Sequence, residues 1–323
     1  MRLKKSNYIE AYSSGSLKKI ADNLLNSLKS CAICPRRCQV NRLEGERGYC
    51  RTGILPKMYS YLSHHGEEPP VSGVKGSGVI FFSSCNMSCA YCQNYQFSQL
   101  DRGNEITFRQ LANIMLGLQK LGCHNINFVT PTHVLPQILQ GLLIAIPEGL
   151  KIPLVYNTNG YELPQIIKLL DGIIDVYLPD MRYADKDASV KYSDAADYPL
   201  YNQKAVKIMH EQVGIAKFDK KGFISRGLII RHLVLPQGLS GTEKIMRFIA
   251  KEIGPDTYIS LMSQYYPYHK ALRDPGIARR ITLEEYTAAR EMMHNAGLGN
   301  GWTQDDNGLE SLAGAHVEEK YEA

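Results

Sequence analysis

Seven of the eight cysteines lie between Cys31 and Cys92, in two groups with the close spacing of metal ligands. The second group, Cys85, Cys89 and Cys92, has the spacing C-x3-C-x2-C and directly follows a short apolar run at 78–83. Thiolates within one short loop can bind the corners of a four-iron cube, and three of them leave one iron without a protein ligand. That iron can take a substrate or a cofactor. We therefore predict that these cysteines form a catalytic centre, with zinc or a chance match as the alternatives.

The first group supplies a complete set of four thiolates. Its spacing is C-x2-C-x3-C-x11-C, and its members are Cys31, Cys34, Cys38 and Cys50. Four thiolates complete either one [4Fe-4S] cluster or one zinc site, and free or redox-active thiols are the third interpretation. We predict a single metal centre here, with no open position.

Arginines crowd the same segment, at Arg36, Arg37, Arg42, Arg47 and Arg51. A centre with four thiolates carries net negative charge, which nearby guanidinium groups would offset. The same groups would dock an acidic electron donor of the flavodoxin or ferredoxin type. A solvated basic face is the alternative interpretation.

The rest of the chain alternates short apolar runs with stretches of helical periodicity. Six runs are predicted as strands, at 78–83, 125–130, 153–157, 174–178, 228–235 and 257–262. Repeated βα units give a parallel sheet with right-handed crossovers. Because a closed barrel needs eight units, the predicted fold is α/β, a partial (βα)6 TIM-like barrel with an N-terminal Cys-rich metal-binding segment. Chemistry in such folds lies at the carboxyl ends of the strands, which is where the catalytic cysteines follow the first strand.

Three units are predicted along the chain. Residues 1–75 form an N-terminal Cys-rich accessory segment, 76–265 the barrel core, and 266–323 a C-terminal helix and tail. The first boundary depends on residues 66–77, whose two prolines and three glycines indicate a linker.

The loop around the second cysteine group resembles the motif of radical S-adenosylmethionine (SAM) enzymes. The resemblance includes Tyr91 before the third cysteine, and the following Gln93-Asn94 is similar to the activating-enzyme branch of that superfamily. It implies a [4Fe-4S] cluster on the three cysteines, with SAM chelating the fourth iron. It also implies that one electron from the cluster cleaves SAM into methionine and a 5′-deoxyadenosyl radical, which abstracts hydrogen from a substrate.

Two further segments resemble SAM-binding motifs of pyruvate formate-lyase-activating enzymes. Asn157-Thr158-Asn159-Gly160 is similar to their Asp-Thr-Asn-Gly, and Asp180-Met181-Arg182 is similar to their Asp-x-Lys. Thr130-Pro131-Thr132-His133 stands where the family has Gly-Gly-Glu, so threonine hydroxyls and backbone carbonyl groups are the candidates for holding the SAM amino group. The SAM contacts implied by the resemblance are Tyr91, Asn94, Thr130, Thr132, Asn157, Thr158, Asn159, Asp180 and Arg182.

The segment CAICPRRCQVNRLEGERGYC resembles the N-terminus of a PflX-like branch of the activating-enzyme family. The function expected from these resemblances is hydrogen abstraction from an unidentified substrate, with a protein as one possible substrate. Activation of a glycyl-radical enzyme is the alternative enzyme function. A non-catalytic iron–sulfur electron carrier and an RNA-modifying protein are the other classes considered.

Composition narrows these classes. The net charge of +5 and the lack of an aromatic-basic motif argue against nucleic acid as a partner. The longest apolar stretch, 138–146, is about half the length of a membrane span, and the N-terminus has no apolar secretory signal. The expected compartment is the reducing cytoplasm, where eight cysteines are not a disulfide framework.

Overall fold

The computed structural model describes residues 7–304. Within them, one sheet contains ten strands: β1 (Lys57–His64), β2 (Ser77–Phe82), β3 (Asn104–Glu105), β4 (Ile126–Val129), β5 (Leu154–Thr158), β6 (Val176–Pro179), β7 (Lys217–Phe218), β8 (Ile224–Leu233), β9 (Tyr258–Met262) and β10 (Gly301–Thr303). The strand order is β10-β9-β8-β6-β5-β4-β2-β1-β3, and β7 pairs with β8 outside this path.

Six of these strands form the predicted parallel core. β2, β4, β5, β6, β8 and β9 pair in parallel in chain order. β5 and β6 are buried along their whole length and β2 at every residue except Phe81, as expected of strands covered on both faces. The prediction of an α/β partial barrel is therefore confirmed, because consecutive parallel strands lie side by side and the carboxyl ends meet at one edge.

Helices connect and cover these strands: α1 (Asn7–Ser13), α2 (Ser16–Asn26), α3 (Pro69–Ser72), α4 (Tyr95–Ser98), α5 (Phe108–Lys120), α6 (Leu135–Ala145), α7 (Pro164–Lys168), α8 (Lys186–Ser193), α9 (Tyr198–Val213), α10 (Thr242–Phe248) and α11 (Leu283–Asn295). α5 begins at a capping box, in which Thr107 accepts from the backbone of Gln110 and Gln110 accepts from the backbone of Thr107. Its buried face, with Leu111 and Leu118, belongs to the main core. None of the described helices is long and apolar enough to cross a membrane.

The region before the core differs from the sequence expectation. Residues 57–64 form β1, which pairs antiparallel with β2 in the register His64↔Ser77 and Tyr61↔Ile80. Residues 69–72 form the short helix α3, so 66–77 is not an open linker. All residues of β1 are half-buried except one, which is exposed. Because buried and exposed residues do not alternate, the sequence shows no strand pattern here.

The predicted division into 1–75, 76–265 and 266–323 stays a prediction. Residues 1–6 and 305–323, which belong to its first and last units, lie outside the described residues.

Candidate active site

The loop after β2 carries the three closely spaced cysteines. Backbone hydrogen bonds fix it at both ends: Ser84 N donates to Phe97 O at 2.8 Å, and Ala90 N donates to Tyr192 O at 2.7 Å. Ser84 itself adopts a positive φ of 72°, which a serine rarely does outside a constrained turn. The loop is therefore held by α4 and by the end of α8 rather than by its own residues.

Each of the three thiols has a polar neighbour at hydrogen-bond distance. Met87 N and Asn159 Nδ2 each lie 3.3 Å from Cys85 Sγ. Ser193 Oγ lies 3.0 Å from Cys89 Sγ, and Ser98 Oγ lies 3.3 Å from Cys92 Sγ. Hydrogen bonds of this kind stabilise sulfur in its thiolate form and tune an iron–sulfur cluster that it ligates.

The electrostatics of the metal-free thiols oppose ionisation. Burial, together with the neighbouring thiol of Cys89, raises the pKa of Cys85 to about 12 and that of Cys92 to about 11. These thiols keep their protons at neutral pH unless a metal displaces them. The loop therefore suits metal ligation rather than free thiolate chemistry.

A cavity of about 610 Å³ opens beside Cys92, at the carboxyl ends of the strands. Seven of the nine SAM contacts expected from the sequence line it: Tyr91, Asn94, Thr130, Asn157, Asn159, Asp180 and Arg182. Thr130, at the end of β4, adopts a left-handed φ of 54°, a strained conformation that is common at functional sites. The volume lies within the range of about 300–1,000 Å³ that is usual for small-molecule sites.

The structure does not bring Thr132 and Thr158 to this cavity. Both hydroxyls donate to Glu162 Oε1 at 2.5 Å, behind the cavity wall. Thr158 follows Asn157 in a strand, and successive strand residues point to opposite faces, so only one of the two can face inward. Burial raises the pKa of Glu162 to about 7, although the two threonines and Tyr156 donate to its carboxylate.

Asp180 lies between two guanidinium groups at the end of β6. Arg182 Nη2 is 2.5 Å from Asp180 Oδ2, and Arg231 Nε is 2.8 Å from Asp180 Oδ1. Burial opposes ionisation of Asp180, but Arg231 and Arg182 together hold its pKa below the usual range. Gly160 is required nearby, because a Cβ there would lie 2.4 Å from Asp180 O and 2.1 Å from Asn202 Nδ2.

Sequence reasoning missed three charged residues of the cavity. Arg231 donates to Asn157 Oδ1 at 2.6 Å and lies 3.5 Å from Glu67 Oε2, while Glu68 lines the cavity next to Glu67. Strand alternation puts Arg231 and His232 of β8 on opposite faces, so the sequence alone does not show which of them faces inward. Nothing in the pattern of 66–77 distinguished Glu67 and Glu68 from solvent-exposed loop carboxylates.

The four N-terminal cysteines lie together as predicted from their spacing. They line one small cavity of about 10 Å³, together with Arg36, Arg42 and His133 among others. Burial raises the pKa of Cys34 to about 12, and the other three thiols add to that rise. Gly48 packs against Cys38 with no room for a side chain, because a Cβ on it would lie 2.6 Å from Cys38 Cβ and 2.8 Å from Cys38 Sγ.

Arg42 is fully buried beside these thiols. Its guanidinium donates to Gly53 O at 2.9 and 3.2 Å and to His133 O at 3.0 Å, and it lies 3.8 Å from Cys31 Sγ. Among residues 7–304 no carboxylate forms an ion pair with it. A buried cation without a counter-anion is costly, so the surroundings of Arg42 favour negative charge on the four sulfurs.

Arg36 connects the two cysteine groups. Its Nε donates to Asn86 O at 2.9 Å, next to Cys85, and its Nη2 donates to Asp194 O, next to Ser193. The guanidinium lies 3.7 Å from the ring centroid of Tyr49, whose hydroxyl donates to Asp194 Oδ2 at 2.7 Å. The N-terminal segment thus contacts the loop that carries Cys85, Cys89 and Cys92 directly.

Neither group has the arrangement of a single-ion site. In the described part of the chain, no three or more His, Cys, Asp or Glu side chains are placed to hold one metal ion. Zinc would draw thiolates to within about 2.3 Å of one point, whereas an iron–sulfur cube spreads them over separate corners.

Comparisons with known proteins agree with this chemistry. A family model described as Radical SAM superfamily matches residues 79–249. An uncharacterized protein of Methanocaldococcus jannaschii is 34% identical over 284 residues, which cover 84% of this chain and 77% of that protein.

Solved structures give weaker likenesses. The structure of TYW1 with a lysine-pyruvate adduct bound is 13% identical, with a TM-score of 0.44, and the match covers 72% of this chain and 75% of that one. Native anSMEcpe with bound AdoMet is 13% identical, with a TM-score of 0.46, and the match covers 68% of this chain and 61% of that one. Streptococcus suis SuiB bound to precursor peptide SuiA is 14% identical, with a TM-score of 0.47, and the match covers 70% of this chain and 48% of that one.

Proposed function

This chain belongs to the radical SAM superfamily, and from that premise we propose that it cleaves SAM reductively and abstracts hydrogen from a substrate in the 610 Å³ cavity. One observation carries the proposal. Cys92 lines the same cavity as Asp180 and Arg182, so the predicted cluster ligand and the predicted SAM-binding pair face one space. When bound, a [4Fe-4S] cluster and SAM supply a 5′-deoxyadenosyl radical.

The residues present fit such a cluster. Three thiols share one short loop, each has a polar neighbour within 3.3 Å, and no carboxylate or imidazole completes a four-ligand set in the described residues. A three-thiol set leaves one iron position for a cofactor. Cys85, Cys89 and Cys92 would hold the cluster, and Asn159 would orient Cys85 through its bond to Sγ.

The protein's own groups then bind and orient the cofactor. Arg182 Nε is buried without a hydrogen-bond partner, so it is available to a carboxylate in the cavity. Asp180 keeps Arg182 in place and, being ionised, is the matching acceptor for an ammonium group. The edge-to-face rings of Tyr91 and Tyr265, with centroids 5.5 Å apart, shield this region from water.

We place the chain in the PflX-like branch of the activating enzymes. This finer assignment is supported by the positions of Asn157 and Asn159, and of Asp180 and Arg182, which lie at the carboxyl ends of the adjacent strands β5 and β6 and line the cavity. The alternative function is activation of a glycyl-radical enzyme, in which the substrate would be a backbone glycine of a partner protein. Incubation with that partner would then yield a protein radical detectable by electron paramagnetic resonance.

We further propose that the N-terminal group holds a second [4Fe-4S] cluster rather than zinc. The buried charge of Arg42 supports an anionic four-thiolate centre here, and the bond of Arg36 to the loop that carries Cys85 favours an electron-carrying cluster over structural zinc. Arg36 bonds to the catalytic loop, so electrons from a flavodoxin or ferredoxin would enter there and reach Cys85 over a short path. No disulfide joins any of the eight cysteines, so all seven in the two groups are available as metal ligands.

Replacing Cys85, Cys89 and Cys92 together by Ala tests the catalytic centre. Reductive formation of 5′-deoxyadenosine from SAM, measured after anaerobic reconstitution, is expected to be lost. Cys123→Ala is the matched control, because Cys123 is buried outside both groups. A triple variant that still formed 5′-deoxyadenosine would contradict the assignment.

The same triple variant identifies the N-terminal centre. With the catalytic ligands gone, iron, sulfide and zinc are counted in the purified, reconstituted protein. About four irons per chain are expected, and about one zinc would show a structural zinc site instead. Finding neither metal would leave these cysteines as thiols.

A further inference from the structure

Two adjacent carboxylates, Glu67 and Glu68, project into the cavity from the turn between β1 and α3. β1 runs antiparallel to β2, and its last residue, His64, pairs with Ser77, the first residue of β2. The turn after β1 therefore lies near the start of β2, whereas Cys85 follows the end of β2. The two carboxylates thus enter from the amino-terminal side of the barrel. They reach the cavity from the side away from the predicted cluster.

The contacts of the two carboxylates differ. Glu67 accepts from Asn157 Nδ2 at 3.3 Å and lies 3.5 Å from a guanidinium nitrogen of Arg231. Glu68 is only 8% exposed, and its Oε2 is buried without any hydrogen-bond partner. A buried carboxylate oxygen without a donor is costly, and a bound cation would remove that cost.

The charged side chains of the cavity also include more acidic than basic groups. Three carboxylates, Glu67, Glu68 and Asp180, line it against two guanidinium groups, Arg182 and Arg231, and no lysine of the described residues lines it. Burial, together with Glu68 and Asp180, raises the pKa of Glu67 despite the nearby Arg231. A SAM molecule carries one net positive charge, and a three-thiolate [4Fe-4S] cluster in its oxidised state carries one negative charge. The cofactors cancel, so the excess acid lies with the cavity itself. Arg231 already pairs with Asp180, and the adjacent Glu67 and Glu68 hold either a proton or a bound cation between them.

We propose that Glu67 and Glu68 bind an ammonium or guanidinium group of the substrate. The substrate class is therefore amines, either small amines or the side chain of a lysine or arginine in a peptide. This inference rests on the proposed function in one respect only, that the substrate occupies this cavity. The carboxylates would hold the cationic end on the amino-terminal side of the barrel and leave the rest of the substrate facing Cys92 and Arg182.

The test measures amine binding by the anaerobically reconstituted holoprotein with SAM bound. Cadaverine and N-acetyl-lysine amide are the cationic probes for the two sources, and 1-pentanol is the neutral one; isothermal titration calorimetry gives the affinities. Trp302 lines the cavity and is the only tryptophan of the chain, so its fluorescence reports whether a probe enters. Saturable binding is expected for at least one cationic probe and not for 1-pentanol.

Glu68→Gln keeps the shape of the side chain and removes its charge. The affinity for the cationic probe is expected to fall at least tenfold, and Glu67→Gln provides a second variant if the first folds poorly. Glu211→Gln, on the exposed face of α9, is the matched control and is expected to bind like the wild type. Equal affinities in Glu68→Gln, Glu67→Gln and Glu211→Gln would overturn the proposal, as would the failure of both cationic probes to bind.

Competition with SAM gives the second decisive result. If saturating SAM abolishes cadaverine binding, the two carboxylates belong to the SAM site and the proposal is wrong. SAM cleavage by the wild type is measured separately, so its failure would contradict the proposed function without affecting the amine result.

Discussion

Replacing Arg42 by Met tests whether an anionic centre balances its buried charge. The substitution removes charged donors from two carbonyl groups, Gly53 O and His133 O. Such bonds contribute about 1.5–3 kcal/mol each. Because Gln137 Nε2 still donates to Gly53 O at 3.2 Å, and a buried Met side chain regains packing, we expect a net loss of about 2–4 kcal/mol. For a chain of this size that lowers the unfolding midpoint by roughly 3–6 °C.

A comparison of four proteins separates the effect of charge balance from the other effects of replacing Arg42. Arg42→Met is made in the wild type and in a variant whose four N-terminal cysteines are all Ser. Without the thiolates, a buried guanidinium has no counter-anion, so its removal is expected to cost about 1–3 kcal/mol less in the cysteine-free background. Midpoints are measured by anaerobic thermal unfolding, together with metal content.

Arg109→Met is the matched control for this comparison. Arg109 pairs with Glu148 on the surface with about half of its side chain exposed, and an exposed pair contributes little to stability. Its effect on the midpoint is expected to be small and the same in both backgrounds. If Arg42→Met costs the same with and without the four cysteines, the charge-balance reasoning is refuted.

Three other substitutions test separate parts of the site. Gly48→Ala is expected to lower metal content at the N-terminal group only, measured as iron or zinc per chain, because the added Cβ meets Cys38 at 2.6 Å. Arg182→Ala is expected to weaken SAM binding by about 1.5–3 kcal/mol with cluster content unchanged, and an unaltered SAM affinity would remove Arg182 from the site. Glu162 is neutral when folded below its raised pKa of about 7, so the stability it contributes falls by about 1.4 kcal/mol per pH unit from about pH 4.5 to 7. Thermal midpoints of Glu162→Gln are expected to decline less than those of the wild type between pH 5 and 8, and parallel declines would contradict the assigned pKa.

The fold was predictable where the hydrophobic period was strong. The six core strands coincide with short, mostly apolar runs that are largely buried, and α5 has both a capping box and an apolar face. β1 was missed because its side chains are only partly buried, so it shows neither a continuous apolar run nor clean alternation. β10, three residues that pair in parallel with β9, is too short to give a pattern at all.

The site was predictable only where residues are close in sequence. Cys85, Cys89 and Cys92 reveal themselves by spacing, and the prediction that a strand precedes them places them at the carboxyl edge. The pairing of Arg231 with Glu67 joins residues from β8 and from the turn after β1, and no local pattern encodes such a contact. For Thr158 the error has a simple cause: the resembling motif names four successive residues, but a strand can present only alternate ones to one side.

The hydrogen bonds from Arg36 to Asn86 O and Asp194 O make the barrel depend on the N-terminal Cys-rich segment. A shortened protein that began at β1 would lose Arg36, and it would also lose Arg42, which donates to the backbone of His133 in the barrel. The buried carbonyl groups of Asn86 and His133 would then lose these donors, next to the loop that carries Cys85. The Cys-rich segment is accordingly not an optional attachment: a segment that replaced it would have to bring guanidinium donors to the same main-chain carbonyl groups.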